Sequence, residues 1–235
     1  MKQFFLIVLC ALSITSFGAK HDSTRAKKVG IRDIFLMLPE RDLEWGEFSV
    51  QKRKEMLKNI GTKAGAEPAD GQCVDLCDER NGYLRAFYSY AEDFKYEVCY
   101  WNLKDGRKLV ALSTTEGWSK LRFYIYDQGR LRADHSLAPN TAGVTVEDFY
   151  DTSRLTPKQR ADLAKLFKER IVFRFELPRR GTSIEMHIGT KVQDMEYQTM
   201  FMDADLDDLM ESKYVVFRWV KERWVNEVRP LPPTQ

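Results

Sequence analysis

The sequence predicts an α+β fold: a mainly antiparallel, twisted sheet built as a meander of hairpins, with a few helices packed on it. Three observations lead there. Between Cys73 and Leu131 the apolar residues recur with period two and are separated by short turn signals, which forces antiparallel neighbours. Helical spacing is confined to stretches near 31–60 and 156–170, and to a short segment near 203–212. Strands and helices therefore segregate along the chain instead of alternating, which argues against a doubly wound sheet.

The elements follow in order. Ile31, Ile34, Phe35 and Leu38 lie at helical spacing, and Pro39 stops that helix. Ser49 is placed to cap a second helix over Val50–Ile60, ended by Gly61. Residues 62–71 (TKAGAEPADG) read as loop. Cys73–Asp78 is the first strand. Asn81-Gly82 then marks a two-residue hairpin, because both residues tolerate positive φ. Tyr83–Tyr90, Phe94–Leu103, the run Leu109–Leu112 and Lys120–Tyr126 are further strands, with turns at Lys104–Arg107 and Asp127–Gly129. Thr156 and Pro157 open a helix to Arg170 on which Leu163, Leu166 and Phe167 share a face. Ile171, Phe173, Phe175 and Leu177 mark one face of a strand that returns over Thr182–Ile188. A last hairpin pairs Tyr214–Val220 with Arg223–Val228 through Lys221-Glu222.

The first 19 residues have the layout of a secretory signal peptide. Lys2 supplies the positive start, Phe4–Leu12 the apolar run, and Ser16, Gly18 and Ala19 the small residues before cleavage. Residues 20–30 form a polar, basic, flexible leader, and 31–235 form one α+β domain, with 134–153 as the place where it would subdivide. Cys10 lies inside the apolar run and follows bulky Leu9, which argues against a lipoprotein. No second apolar run has spanning length, so no membrane span is expected. The expected location is periplasmic or extracellular.

Composition narrows the function classes. Hydrophobic residues at 43% support a filled core, and 37 basic against 35 acidic residues leave a net charge of only +2. That balance disfavours nucleic acid as a partner. No phosphate-binding glycine loop, G-x-S-x-G elbow or H-E-x-x-H pair is present, so no cofactor and no catalytic residue is assigned. Asp134-His135-Ser136 places triad residue types side by side, but triads assemble from distant segments. His187 shares the polar side of its strand with Ser183 and Glu185, which suits a surface His–Glu or His–Arg contact. Asp203, Asp205 and Asp207 open like a calcium loop. Asp208 then stands where the loop needs Gly, and Tyr214 where it needs Glu. A short helix near 203–212 is the simpler reading, and no metal is assigned.

Downstream of the leader the cysteines are Cys73, Cys77 and Cys99, an odd number. A two-residue turn at Asn81-Gly82 would set Cys77 opposite Ala86, and a turn at Glu92-Asp93 would set Ala86 opposite Cys99. The two thiols would then share one face, two strands apart, roughly 10 Å. That is too far for a disulfide, and small buried hydrophobes are the simpler reading, with a disulfide as the alternative if the register slips or Cys73-x-x-x-Cys77 forms a helical turn.

Trp101, Trp118, Tyr124 and Tyr126 lie in or beside aromatic strands and are the ligand-binding candidates, with Arg179 and Arg180 at a basic turn tip as an anion contact. Two functions from different classes follow. One is an exported, non-catalytic binding or accessory domain for a protein, peptide or glycan. The other is an envelope hydrolase with a site assembled from scattered residues, His135 and neighbouring acids among them. A calcium-dependent structural protein is a third.

The segments DIFLMLPE (33–40), the helix bearing Arg53, YEVCYWNLKDGRKLVAL (96–112) and LRFYIYD (121–127) resemble secreted Bacteroidales proteins of unknown function, over about residues 31–130. The resemblance implies an exported location and an α+β fold. It carries no catalytic residues.

Overall fold

A computed structural model describes residues 28–43, 48–60, 71–88, 94–169, 171–189, 195–206 and 208–232. The expected signal peptide, Cys10, the leader as far as residue 27, and Asp207 lie outside the described residues.

Two antiparallel sheets form the molecule. The first is a six-stranded meander of β1 (Gln72–Asp78), β2 (Tyr83–Tyr88), β3 (Phe94–Asn102), β4 (Lys108–Glu116), β5 (Trp118–Asp127) and β6 (Arg130–Ala133), in sequence order. The second contains β7 (Val172–Glu176), β8 (Ser183–Gly189), β9 (Lys213–Val220) and β10 (Arg223–Pro230), also in sequence order. The α+β expectation holds, and the strands separate into two sheets.

Both faces of the six-stranded sheet are buried, which explains why β4 is buried at every residue but its last. On one face Leu84, Ala86, Tyr96, Val98, Val110, Leu112 and Tyr124 meet α1 (Ile31–Met37) and α2 (Val50–Lys58). On the other, Cys99, Trp101, Leu109, Ala111, Phe123 and Ile125 meet Phe175, Ile184, Met186, Val215 and Phe217 of the four-stranded sheet. Helix α3 (Pro157–Glu169) adds Leu163 and Leu166 to this second core, and α4 (Met195–Asp203) adds Phe201.

Local chemistry sets the boundaries. Ser49 Oγ accepts the Lys52 N–H as the cap of α2. Thr156 and Gln159 form a reciprocal capping box on α3, with Gln159 N–H to Thr156 Oγ1 at 3.2 Å and Thr156 N–H to Gln159 Oε1 at 3.0 Å. The β5–β6 turn places Gln128 and Gly129 at positive φ, as the β9–β10 turn does Lys221 and Glu222. These are the mirror-image turns that match strand twist.

Three expectations are corrected. The β1–β2 connection is a four-residue turn, with Asp78 paired to Tyr83, because the Asp78 carboxylate accepts both the Asn81 N–H and its side-chain amide. Only Gly82 of that turn has positive φ. A bulge between Val74 and Leu76 adds a second shift. The longer turn sets Cys77 opposite Leu84, not Ala86, and the β2–β3 register sets Cys99 opposite Tyr83. Cys77 packs in the helix-side core and Cys99 in the inter-sheet core, on opposite faces, and Cys73, Cys77 and Cys99 form no disulfide. Finally, the helix expected near 203–212 is α4, which ends at Asp203; Asp205 then turns the chain at φ 55°.

Candidate functional site

The aromatic candidates divide between the two faces of β3–β5. Trp101 is a core residue at 6% exposure. It packs edge-on to Trp224, with ring centroids 5.2 Å apart, and donates its indole N–H to the Thr182 carbonyl at 3.3 Å. Tyr124 is buried against the helices and donates to Asp42 Oδ2 at 2.8 Å. Burial and the neighbouring carboxylate push its phenol well above the ordinary range. The Tyr126 hydroxyl accepts the Gly129 N–H at 3.1 Å and so serves the β5–β6 turn. Arg179 pairs with Asp78 at 3.2 Å, tying the β7–β8 turn to the end of β1, while Arg180 is exposed. These residues do not form one surface.

Trp118 is different. It lies on the helix-side face of β5, like Lys120, Arg122 and Tyr124. Arg122 and Tyr124 both reach Asp42 in the segment after α1. Nearer the Gly117 turn, Lys120 and Trp118 are half-exposed. There Thr114, Glu116, Trp118 and Lys120 line a shallow, open cleft of about 10 Å³. Cross-strand pairing puts Thr114 opposite Lys120 and Glu116 opposite Trp118. The Lys120 ammonium lies 5.6 Å from the Trp118 ring centroid, within cation–π range. Behind the cleft, the turn at Gly117 leans on β8. A Cβ on Gly189 would stand 3.1 Å from the Gly117 carbonyl oxygen and from Trp118 Cβ, so a side chain there would push the turn back by a few tenths of an ångström.

The histidine candidates are also placed. His135 is exposed, edge-on to Phe123 at 6.4 Å. Asp134 turns its carboxylate to Ser136, whose N–H it accepts at 2.9 Å; these hydrogen bonds hold its pKa below the ordinary value. The three adjacent residues therefore make a turn and no relay. His187 is 8% exposed, on the outer face of the four-stranded sheet between Glu185 and Glu211. Asp203 is exposed at the end of α4, and the Asp205 carbonyl accepts from Gln159 Nε2 at 2.9 Å.

Sequence reasoning missed two buried groups. Arg53 is fully buried beneath α1, its guanidinium donating to the Phe35 carbonyl and lying 5.8 Å from the Phe35 ring centroid. Tyr83 and Glu97 form a buried pair at 2.6 Å, and burial first, then the carboxylate, drives the phenol's pKa far upward. The alternation of polar and apolar positions was the available signal: Arg53 and Glu97 occupy positions facing the interior.

Fold and cleft together define an α+β protein of two stacked antiparallel sheets, with a small open aromatic cleft at one end of the larger. No family model matches the chain, and no curated protein matches it. Among solved structures it resembles a domain of an uncharacterized protein from Porphyromonas gingivalis W83, a member of the Bacteroidales. The TM-score is 0.51 at 14% sequence identity, over 85% of this chain and 98% of that one. At this identity the likeness is one of fold. Among the described residues no helix is long and apolar enough to cross a membrane.

Proposed function

We propose that the protein is an exported envelope or extracellular, non-catalytic binding or accessory domain whose ligand surface is the Trp118 cleft. The observation that carries this reading is a half-exposed tryptophan at one end of the larger sheet, flanked by a cation, a carboxylate and a hydroxyl. A flat indole beside hydrogen-bonding groups suits the face of a sugar ring or an extended peptide segment. The depression is far too small to enclose a small molecule, which takes roughly 300–1,000 Å³, so a ligand would lie across it as on a surface. The turn formed by Asp134, His135 and Ser136 supports this reading over hydrolysis.

Screening the folded protein against glycan and peptide panels tests the proposal. A hit should be weakened at least about tenfold by Trp118→Ala, a loss of ~1.4 kcal/mol, with the melting temperature close to wild type. Hits that ignore this substitution would remove the cleft from the proposal. Export is checked separately by fractionating cells that express the full chain and sequencing the N-terminus of the product. A mature N-terminus near residue 20 outside the cytoplasm is expected; an intact Met1 in the cytoplasm overturns it.

A further inference from the structure

The outer face of the four-stranded sheet carries an arrangement that the cleft does not use. Glu176 of β7 and Glu185 of β8 are directly opposed across the ladder. Like charges so placed are destabilising unless a cation lies between them. His187 follows two residues on, on the same face. One donor atom from each of Glu176, Glu185 and His187 falls within 4.8 Å of the others.

His187 is the informative member. Its side chain is only 10% exposed, yet its ring nitrogens stand 3.7 Å from Glu185 Oε2 (Nε2) and 3.7 Å from Glu211 Oε1 (Nδ1). Both separations exceed hydrogen-bonding distance. The edge of a tetrahedron with metal bonds of 2.0–2.1 Å is about 3.3 Å, so Nε2 and Glu185 need only a small approach to share an ion. The ring is also held from behind. It stacks on Tyr214 at 4.8 Å and 11°. Glu211 faces Nδ1 and is itself fixed by the Ile188 N–H at 3.0 Å. A carboxylate hydrogen-bonded to the second nitrogen is the usual support of a metal-bound imidazole, and Glu211 would close from 3.7 Å to supply it.

We propose that Glu176, Glu185 and His187 form a binding site for a divalent first-row transition-metal ion, with Glu211 orienting His187. One imidazole and two carboxylates suit zinc, iron or manganese better than calcium, which prefers all-oxygen ligands. Arg174 is the cation facing this group from β7, its guanidinium 3.2 Å from Glu176 Oε1. It balances one of three carboxylates, and the remaining charge matches a dication. Glu176 and Glu185 are about 40% exposed, which leaves an open side for entry and for a coordinated water.

Isothermal titration of the chelator-treated full chain with zinc sulfate, followed by cobalt absorption spectroscopy, tests the site. One equivalent of zinc per chain is expected, with a rise in melting temperature. His187→Ala and Glu185→Gln should each weaken binding at least about tenfold. The bound cobalt should show no thiolate charge-transfer band. Absence of stoichiometric binding, wild-type affinity in both variants, or a thiolate band pointing to Cys73 or Cys77 would each overturn the site. If His187→Ala fails to fold, the half-exposed Glu185→Gln decides the matter alone. The outcome is independent of the Trp118 proposal.

Discussion

Arg53 carries a charge into a place where its hydrogen-bonding needs are only partly met. One guanidinium nitrogen serves the Phe35 carbonyl, while Nε and Nη2 are buried without an acceptor. Burial pulls its pKa below the ordinary arginine value, opposed by Glu40. Because removing an imperfectly satisfied buried ion in favour of an apolar side chain is often neutral or better, R53M should change unfolding free energy by less than about 1.5 kcal/mol. R53A should fall about 2–5 kcal/mol below R53M, the cost of truncating a core methionine. Chemical denaturation of the two variants separates them. A large loss in R53M would mean that the guanidinium does more for the fold than its hydrogen bonds indicate. Such residues are hard to see in a sequence. In α2 the apolar Val50 is 39% exposed while Arg53 is buried, because the long arginine stem packs like a hydrophobe while its letter signals surface.

At the level of elements, the turns are held by acidic side chains. Asp78, Asp105, Asp134 and Asp151 each accept hydrogen bonds from residues two or three positions ahead, and each has its pKa lowered mainly by those bonds. Glu227, on the outer face of β10, is lowered by Arg229 in the same way. The folded values lie below the unfolded ones, so this stabilisation is present above the unfolded pKa of about 4 and is lost as pH falls through the lower folded values. Melting temperature should therefore decline between about pH 4 and pH 2. Asp78→Asn keeps an acceptor in the turn but loses the charge facing Arg179, and should flatten part of that decline. An unchanged slope would assign it to other groups. Element identity was legible because turn chemistry and period agree: Thr156-Pro157, Asp127-Gln128-Gly129 and Lys221-Glu222 all fall where the sequence puts them. Register was not. Asn81-Gly82 is a genuine turn signal, but the Asp78 side chain competes for the Asn81 amide and lengthens the loop, and the bulge after Val74 leaves no mark in the period.

Across the whole molecule, two hydroxyls join the sheets. Ser113 Oγ of β4 donates to the Phe175 carbonyl at 3.1 Å, and Ser119 Oγ of β5 accepts the Phe175 N–H at 3.0 Å. Both serines are buried, so the backbone of β7 at this point finds its partners in side chains of the other sheet. Each alanine replacement should cost about 1–3 kcal/mol, because it strands a buried backbone group. The double variant S113A/S119A should be non-additive in a double-mutant cycle, since both serve one residue. Strict additivity would argue for independent roles. This joint explains why the strand inventory was readable and the partition into two sheets was not. Period and turns identify hairpins, but nothing local to Phe175 announces that two serines more than 50 positions earlier will complete it. The Trp118 cleft is similar. Its tryptophan stood among the candidates, whereas Trp101 and Tyr124, with the same local signature, went to the interior because both faces of the sheet are covered.

The serine joint also bears on solubility. An uncovered sheet edge is a template for runaway pairing between molecules. With β7 sealed by hydroxyls at Phe175, the opposite border of the smaller sheet is β10, where Arg223, Glu227, Arg229 and Pro230 interrupt exposed Val225 and Val228. Charge and a missing N–H there act as gatekeepers, so the smaller sheet conceals one border at Phe175 and makes the other a poor template for copies of itself.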